Sequence, residues 1–253
     1  MIKKISIIGS GNVATRLSYE FFKNNIQIAQ IISRNKKHGQ LLADRIQASF
    51  TTNINNLKLT DLTIICVSDD SIKDIAKKIP TNQPVVHTSG FTDITILKKQ
   101  ENHGVIYPIQ SLNKDIDINF QEIPICIESN NNIFKKKIKN LCLKLSINVV
   151  YFNSTERKHI HLAAVITSNF SNFLYLIAQK HLHQQNIDFS LLLPLIIHTA
   201  KKTKNKNPFT NQTGPAKRGD KKVIKKHLDI LKNKDYKKIY KLLSKNILTT
   251  YEK

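Results

Sequence analysis

The first seventeen residues, MIKKISIIGSGNVATRL, constrain the fold more than any other stretch of the chain. The β-branched apolar run at 5–8 is typical of a buried parallel strand, and a Gly-x-Gly-x-x-Ala turn follows it directly. In such a turn the first glycine allows the tight connection, the second lets backbone approach a pyrophosphate, and the small third residue lets the helix pack closely. The segment therefore predicts a dinucleotide cradle formed by Gly9, Ser10, Gly11, Asn12, Val13 and Ala14.

The context of this motif favours nucleotide binding over a glycine turn between any strand and helix. Leu17, Phe21 and Phe22 follow at the spacing of a buried helix face, and the free N–H groups of that helix would favour an anion. A second strand is predicted at 26–32, followed by Ser33 and Arg34. An acidic residue normally binds the ribose hydroxyl of NAD there, whereas Ser33 and Arg34 suit a 2′-phosphate and predict NADP. A solvated basic loop is the alternative interpretation.

Length and composition indicate a globular chain long enough for two domains, since hydrophobic residues make up 40% of 253 residues. No uninterrupted apolar run reaches the roughly 20 residues that span a bilayer, and the apolar stretch after Lys3 and Lys4 is too short for a signal peptide. The sequence therefore predicts a cytoplasmic protein without a membrane partner.

Two further features bear on binding partners. The formal net charge is +22, but the basic residues are scattered, mostly lysine, and lack the interleaved aromatic residues of a single-strand binder. Compositional drift explains this charge more simply than nucleic-acid binding does. Cys66, Cys126 and Cys142 are widely separated and lack metal-ligand spacing, so they are interpreted as reduced core thiols and no metal site is predicted.

Polar residues follow several predicted strands at the point where each strand ends. Val67 and Ser68 close the strand predicted at 62–67, and His87 and Ser89 follow the strand at 84–87. Gln110 follows the next strand. Ligands of a doubly wound sheet lie at the carboxyl ends of its strands, so Val67, Ser68 and His87 are predicted to contact cofactor and Ser89 and Gln110 to face the same crevice. The alternative is that these polar side chains only stabilise the turns that follow the strands.

The fold class predicted from this order of elements is α/β. An N-terminal, doubly wound, mostly parallel Rossmann sheet over 1–152 ends with strands predicted at 123–128 and 147–152. Asn153 and Glu156 then resemble a capping box, and the chain beyond is mostly helical. An all-α second domain is therefore predicted over 153–253.

Two features of that second part carry polar side chains. The apolar stretch 160–182 contains His161, and at 100° per residue Ser168 and Asn172 lie within about 20° of its direction, with Asn169 about 80° away. Such a row of polar side chains on an apolar helix, here called the polar stripe, either lines a solvent-containing active site or pairs with another helix. A loop at 207–220 carries Thr213 and Arg218, which could bind a substrate carboxylate. An Arg218–Asp220 ion pair that holds the loop is the alternative.

The ordered segments GSGNVA, HTSG, YPIQSL, HLAAVITSN and TGPAKRGD resemble a bacterial family of NADP oxidoreductases. That family joins a Rossmann-like NADP-binding domain to a helical C-terminal domain of unknown function and is related to pyrroline-5-carboxylate reductase, ketopantoate reductase and the β-hydroxyacid dehydrogenases. The resemblance implies a helical domain that forms a homodimer and closes the active site. The Lys-x-x-x-Asn pair of β-hydroxyacid dehydrogenases is absent, because Leu162 follows Lys158 at that spacing.

These observations together predict an NADPH-dependent reductase of a small carbonyl or imine acid, with a ketopantoate-reductase-like reaction as the narrower form. His161 is predicted to be the proton donor, since an imidazole titrates near neutral pH. Asn169 and Ser89 would position the carbonyl, and Arg218, Thr213 and Gln110 would bind the substrate. A non-catalytic NADP-binding sensor or interaction protein is the alternative function.

Overall fold

The computed structural model describes residues 1–252 and contains one mixed sheet in that range. Its strands run in the order β3-β2-β1-β4-β5-β6-β7-β8, and every neighbouring pair is parallel except β6 and β7. The α/β class with a mostly parallel Rossmann-type sheet is thereby confirmed. The strands are Lys4–Ile8 (β1), Gln27–Ile32 (β2), Ser49–Thr51 (β3), Leu62–Ile65 (β4), Val85–His87 (β5), His103–Pro108 (β6), Ile125–Ser129 (β7) and Val149–Tyr151 (β8).

Helices alternate with the first strands and make up most of the chain after β8. One long helical stretch contains α5, a π-helical segment at Val165–Phe170, and α6. The α-helices are Asn12–Lys23 (α1), Lys36–Arg45 (α2), Asp69–Ala76 (α3), Asn132–Cys142 (α4), Ser154–Ala164 (α5), Ser171–His183 (α6), Leu193–Asn205 (α7), Pro208–Asn211 (α8), Lys221–Ile230 (α9) and Lys234–Tyr251 (α10).

Alternation along the central strands builds two separate cores, one on each face of the sheet. Ile7 and Ile64 pack with α1, α2 and α4, whereas Ile8 and Ile65 pack with α3 on the other face. Successive side chains of a strand point to opposite faces, so an uninterrupted run of isoleucines is what a sheet covered on both sides requires. The glycine turn after β1 therefore follows a strand whose last four residues, Ile5 to Ile8, are buried.

The chain divides into two compact units, the first at Met1–Asn169 and the second from Phe170 onward. The predicted boundary near Phe152 coincides with the end of the last strand, but α5 packs on the sheet and belongs to the first unit. Arg157 on α5 is fully buried there, and Asn153 and Glu156 form the predicted capping box at its start. The division falls instead within the long helical stretch.

The regular elements of the second unit are all helices, as predicted, but these helices bury few residues. None of the residues of α6 to α10 described by the structure is classed as buried. Phe209 stacks on Tyr251 with ring centroids 4.7 Å apart, and the Tyr251 hydroxyl donates to the Phe209 carbonyl at 2.7 Å. Large apolar side chains such as Leu191 and Leu242 stay exposed.

One helical stretch, Ser154–His183, is long and apolar enough to cross a membrane by length and composition alone. The sequence alone predicts no such segment, because single polar residues interrupt the apolar run. One helix of this kind is weak support for a membrane protein, since helices of other proteins meet the same criterion.

Candidate active site

A cavity of about 1270 Å³ lies within the first unit, at the carboxyl ends of β1, β2, β4, β5 and β6. We call its wall of residues 9–13 and 33–35 the nucleotide end. Its wall of Ser89, Gly90, Tyr107, His161, Ser168 and Asn169 we call the reactive end. Four strand spacings separate β2 from β6, or about 19 Å, so the cavity can hold an extended ligand.

The two glycines of the nucleotide end have the geometry of a pyrophosphate-binding turn, Gly9 as the tight connection and Gly11 as the open position. Gly9 has a φ of +129°, and a Cβ there would lie 2.1 Å from the carbonyl oxygen of Cys66. Gly11 precedes α1 without a side-chain cap, and a Cβ on it would have no neighbour within 4 Å. The first turn of α1 contains no acidic residue, so its free N–H groups are available to an anion.

The loop after β2 provides groups that suit a 2′-phosphate. The hydroxyl of Ser33 is 2.7 Å from that of Ser10 and accepts a hydrogen bond from the backbone N–H of Asn35 at 3.2 Å. Arg34 lines the cavity, is exposed, and forms no ion pair within residues 1–252. Its guanidinium is therefore free to pair bidentately with phosphate oxygens.

Most of the other residues predicted to bind the cofactor also line the cavity. Asn12, Val13, Val67 and Ser68 do so. Ala14 does not, because it is fully buried where α1 packs on the sheet, which is the packing role that the motif requires.

His87 is placed differently from its prediction, since it does not line the cavity and its side chain is fully buried below it. Its Nδ1 accepts a hydrogen bond from the backbone N–H of Ser89 at 3.2 Å. Burial, with the nearby Arg157 cation, lowers the pKa of His87 to about 3. His87 is therefore a neutral support of the loop that follows β5 rather than a cofactor ligand.

The reactive end contains a tyrosine and histidine pair that sequence reasoning missed. The hydroxyl of Tyr107, on β6, is 3.1 Å from Nδ1 of His161, on α5. Burial raises the pKa of Tyr107, which keeps its hydroxyl protonated at neutral pH. The segment YPIQSL contains this tyrosine, but its partner lies 54 residues further along the chain and no local spacing joins them.

Gly90 leaves the space in which this pair meets. A Cβ at Gly90 would lie 2.5 Å from His161 Nδ1 and 2.7 Å from the Tyr107 ring. Real Cβ atoms do not approach other atoms so closely, so any other residue at position 90 would displace the two side chains. Gly90, the last residue of the segment His-Thr-Ser-Gly after β5, thus leaves room for Tyr107 and His161 because it has no side chain.

The π-helical segment changes which side chains of the polar stripe reach the cavity. His161, Ser168 and Asn169 line it, whereas Asn172 does not and belongs to the second unit. The predicted directions assumed 100° per residue throughout, and the wider π turn at Val165–Phe170 shifts the phase. The Ser168 hydroxyl is 2.7 Å from that of Ser111, in the loop after β6.

The two predicted strand-exit residues, Ser89 and Gln110, both line the cavity. The Ser89 oxygen accepts hydrogen bonds from the backbone N–H groups of Phe91 at 3.0 Å and Thr92 at 2.8 Å. Its own O–H remains available as a donor. The Ser89 side chain therefore stabilises the turn after β5 and also offers a hydrogen-bond donor at the reactive end.

Thr213 and Arg218 lie in the second unit and are exposed there. No ion pair joins Arg218 to Asp220 within the described residues. Asp220 accepts from the backbone N–H of Val223 and caps α9. The binding of a substrate carboxylate by Thr213 and Arg218 stays a prediction. Lys158 pairs with Asp93 at 3.1 Å and does not line the cavity.

The three cysteines are free and buried, as predicted. Burial raises the pKa of Cys66 to about 12 and that of Cys126 to about 11, so neither is a thiolate nucleophile at neutral pH. Within residues 1–252, no three His, Cys, Asp or Glu side chains are grouped to hold a metal ion.

Comparison with known families identifies both parts of the chain. Residues 4–89 match the family described as NADP oxidoreductase, coenzyme F420-dependent, and residues 123–247 match a domain of unknown function, DUF2520. A Bacteroides fragilis protein, provisionally named an NADP oxidoreductase, is 33% identical over 98% of both chains, with a TM-score of 0.93. The chain belongs to this family of NADP oxidoreductases. The predicted family and its cofactor, NADP, are thereby confirmed.

More distant structures share the fold of this NADP oxidoreductase. A Thermotoga maritima protein is 23% identical over 98% of both chains, with a TM-score of 0.70. An imine reductase from Myxococcus stipitatus, solved with NADP⁺, is 12% identical over 97% of this chain and 92% of its own, with a TM-score of 0.63. None of the curated proteins is significantly similar to this chain.

Proposed function

We propose that the protein is an NADPH-dependent reductase of a small carbonyl or imine compound. The observation that carries this proposal is the Tyr107–His161 hydrogen bond, which lies in the same cavity as the dinucleotide cradle. When bound, NADPH supplies a hydride. Reduction of a C=O or C=N bond also consumes one proton, and the cavity needs a group to donate it.

Tyr107 and His161 are suited to deliver that proton as a relay. The Tyr107 hydroxyl gives its proton to the substrate oxygen or nitrogen and recovers one from Nδ1 of a protonated His161 imidazole, which leaves both the tyrosine and the histidine neutral. The prediction that His161 is the proton source is retained, with Tyr107 as the group that contacts the substrate. The geometry of the hydrogen bond supports this role, because it places a second proton source next to the hydroxyl that contacts the substrate.

Neutral polar groups at the same end orient the substrate. The free O–H of Ser89 and the amides of Asn169 and Gln110 line the cavity and can donate hydrogen bonds to a substrate without adding charge. Such donors can stabilise the negative charge that develops on a carbonyl oxygen as it accepts a hydride. A ketopantoate-reductase-like reaction on a 2-oxo acid is the narrower form of the proposal.

The test is NADPH oxidation, followed by absorbance, with a panel of 2-oxo acids including ketopantoate, neutral ketones and cyclic imines such as 2-methyl-1-pyrroline. With an accepted substrate, Tyr107→Phe and His161→Gln should each lower kcat roughly 10²- to 10⁴-fold and leave NADPH affinity unchanged. Tyr151→Phe is the matched control, because Tyr151 is exposed and outside the cavity. Full turnover in Tyr107→Phe would contradict the relay, and NADPH binding without any turnover would favour a cofactor sensor.

We also propose that the second unit forms a homodimer. Exposed apolar side chains on α7 and α10, together with the absence of buried residues in the described part of α6 to α10, support an association surface. Light scattering should show a dimer that Leu242→Lys dissociates, and a monomeric wild-type protein would reject the proposal. Cytoplasmic location and the lack of nucleic-acid binding stay predictions.

A further inference from the structure

A buried ion pair lies beneath the reactive end and takes no part in the proposed proton relay. Arg157, on α5, is fully buried, and its Nη2 donates to the Glu128 carboxylate, on β7, at 3.0 Å. Ser154 completes the group, since its backbone N–H and its hydroxyl both donate to Glu128 at 2.8 Å. Buried pairs of this kind add little net stability, because desolvation offsets most of the attraction.

The second arm of Arg157 reaches the loop that borders the reactive end. Its Nη1 donates to the Ser89 carbonyl at 2.9 Å, and Gly90 follows immediately. Arg157 and His161 are four residues apart on α5 and therefore lie on the same helix face. One side chain thus fixes the distance between the loop at Ser89 and the helix that carries His161.

The loop packs directly on the two side chains of the pair. A Cβ added at Gly90 would lie 2.5 Å from His161 Nδ1 and 2.7 Å from the Tyr107 ring, so the backbone at this position borders both of them. The Tyr107 hydroxyl and His161 Nδ1 meet at 3.1 Å beside this loop, so the position of the loop shapes the space that the pair occupies. The hydroxyl of Ser154 also accepts from the backbone N–H of Ile94 at 3.1 Å, which fixes the far end of the same loop to the first turn of α5.

We propose that Arg157, anchored by Glu128, is a positioning residue that holds the loop of Ser89 and Gly90 against α5 so that Tyr107 and His161 stay hydrogen-bonded. The geometric part of this proposal is independent of turnover, and its catalytic consequence rests on the proposed function. The Arg157 cation also opposes the burial that raises the pKa of Tyr107, so the guanidinium acts on the pair through its charge as well.

The experiment compares variants by the NMR signal of His161 Nδ1 in protein labelled with ¹⁵N-histidine, with NADPH affinity measured alongside. His161→Gln assigns the signal among the nine histidines, and Tyr107→Phe gives its position without the hydrogen bond. Arg157→Lys keeps the charge but cannot reach Glu128 and Ser89 together. The double variant Arg157→Met with Glu128→Met removes both charges and keeps the volume, so it protects the fold.

Both changes should move the His161 signal toward its position in Tyr107→Phe, and NADPH affinity should stay within about threefold. With an accepted substrate, kcat should fall roughly 10- to 100-fold with little change in KM, as expected for misplacement. Lys158→Met, which removes the neighbouring solvent-accessible pair with Asp93, is the matched control and should leave the signal unchanged.

A folded double variant with the wild-type His161 signal would overturn the proposal and leave the pair a purely structural role. If the double variant does not fold, an unchanged signal in Arg157→Lys overturns the proposal in the same way. Failure of every carbonyl and imine probe to oxidise NADPH would reject the proposed function, whereas the comparison of His161 signals would still decide the positioning role.

Discussion

The two ends of the cavity are built in different ways. The nucleotide end comes from two short continuous segments, 9–13 and 33–35, each at the end of a buried strand. The reactive end comes from β5, β6, α5 and the π segment, and a buried ion pair to β7 supports it. Local backbone geometry therefore determines the structure of the nucleotide end. The structure of the reactive end depends on contacts between segments that are distant in sequence.

The largest effect is expected from Gly9→Ala, at the nucleotide end. The positive φ and the 2.1 Å approach to the Cys66 carbonyl leave no room for a Cβ, and that backbone cannot move without breaking the sheet. We expect a loss of roughly 3 kcal/mol in the free energy of unfolding, together with loss of NADPH binding. Urea denaturation measures the first, and an unchanged midpoint would contradict the strained turn.

Gly90→Ala should separate the two ends functionally. The new methyl group would push His161 away from Tyr107, so we expect kcat to fall about 10²-fold. NADPH affinity should stay within about threefold, because the pyrophosphate cradle is untouched. A parallel loss of NADPH affinity, measured by fluorescence titration, would show that the two ends are not independent.

The lowered pKa of His87, which is buried next to the reactive end, predicts that the free energy of unfolding depends on pH. Its pKa is about 3 in the folded protein and ordinarily about 6.5, so the unfolded chain binds the extra proton between these values. The contribution of neutral His87 is complete above pH 6.5 and is lost as the pH falls toward 3. We expect the free energy of unfolding to fall by roughly 2 kcal/mol from pH 7 to pH 5.

His87→Asn is the matched variant for this prediction, since its side-chain oxygen can still accept from the Ser89 backbone N–H. Its free energy of unfolding should change less between pH 7 and pH 5 than that of the wild type, when both are measured by urea denaturation. Equal pH dependence in the two proteins would reject the assignment.

The smallest effect is expected from Gly11→Ala, which sharpens the contrast with Gly9. Gly11 has an ordinary φ of −81° and open space at its Cβ position, so stability should change by no more than about 0.5 kcal/mol. NADPH affinity should weaken about tenfold, because the methyl group would occupy space that the pyrophosphate needs. Wild-type affinity, measured by fluorescence titration, would mean that the cofactor does not approach this glycine.

The same contrast explains what the sequence could predict. The cradle, the parallel sheet and the NADP preference follow from residues adjacent in sequence, since Gly9 to Ala14 and Ser33 to Arg34 carry their chemistry locally. Tyr107 could not be chosen from YPIQSL, because only the fold brings it to His161. His87 looked like a strand-exit ligand, but strand position alone does not say whether a side chain points into the cavity or beneath it.

The polar stripe shows a second limit of sequence reasoning. A uniform helical period grouped Asn172 with His161 and Ser168, and the π turn at Val165–Phe170 selects Asn169 instead. The domain boundary shifted for a related reason, since the capping box at Asn153 marks where α5 starts but not which unit it packs on. Periodicity and caps locate helices, whereas packing partners decide their roles.

The most direct test of the assigned nucleotide end is a fluorescence titration of the wild-type protein with NADPH and NADH, with Arg34→Ala in parallel. We predict that NADPH binds more tightly than NADH, and that Arg34→Ala weakens NADPH binding roughly tenfold while NADH binding hardly changes. Equal binding of the two cofactors, unaffected by the substitution, would contradict the assigned nucleotide end. Binding of neither would contradict the reductase itself.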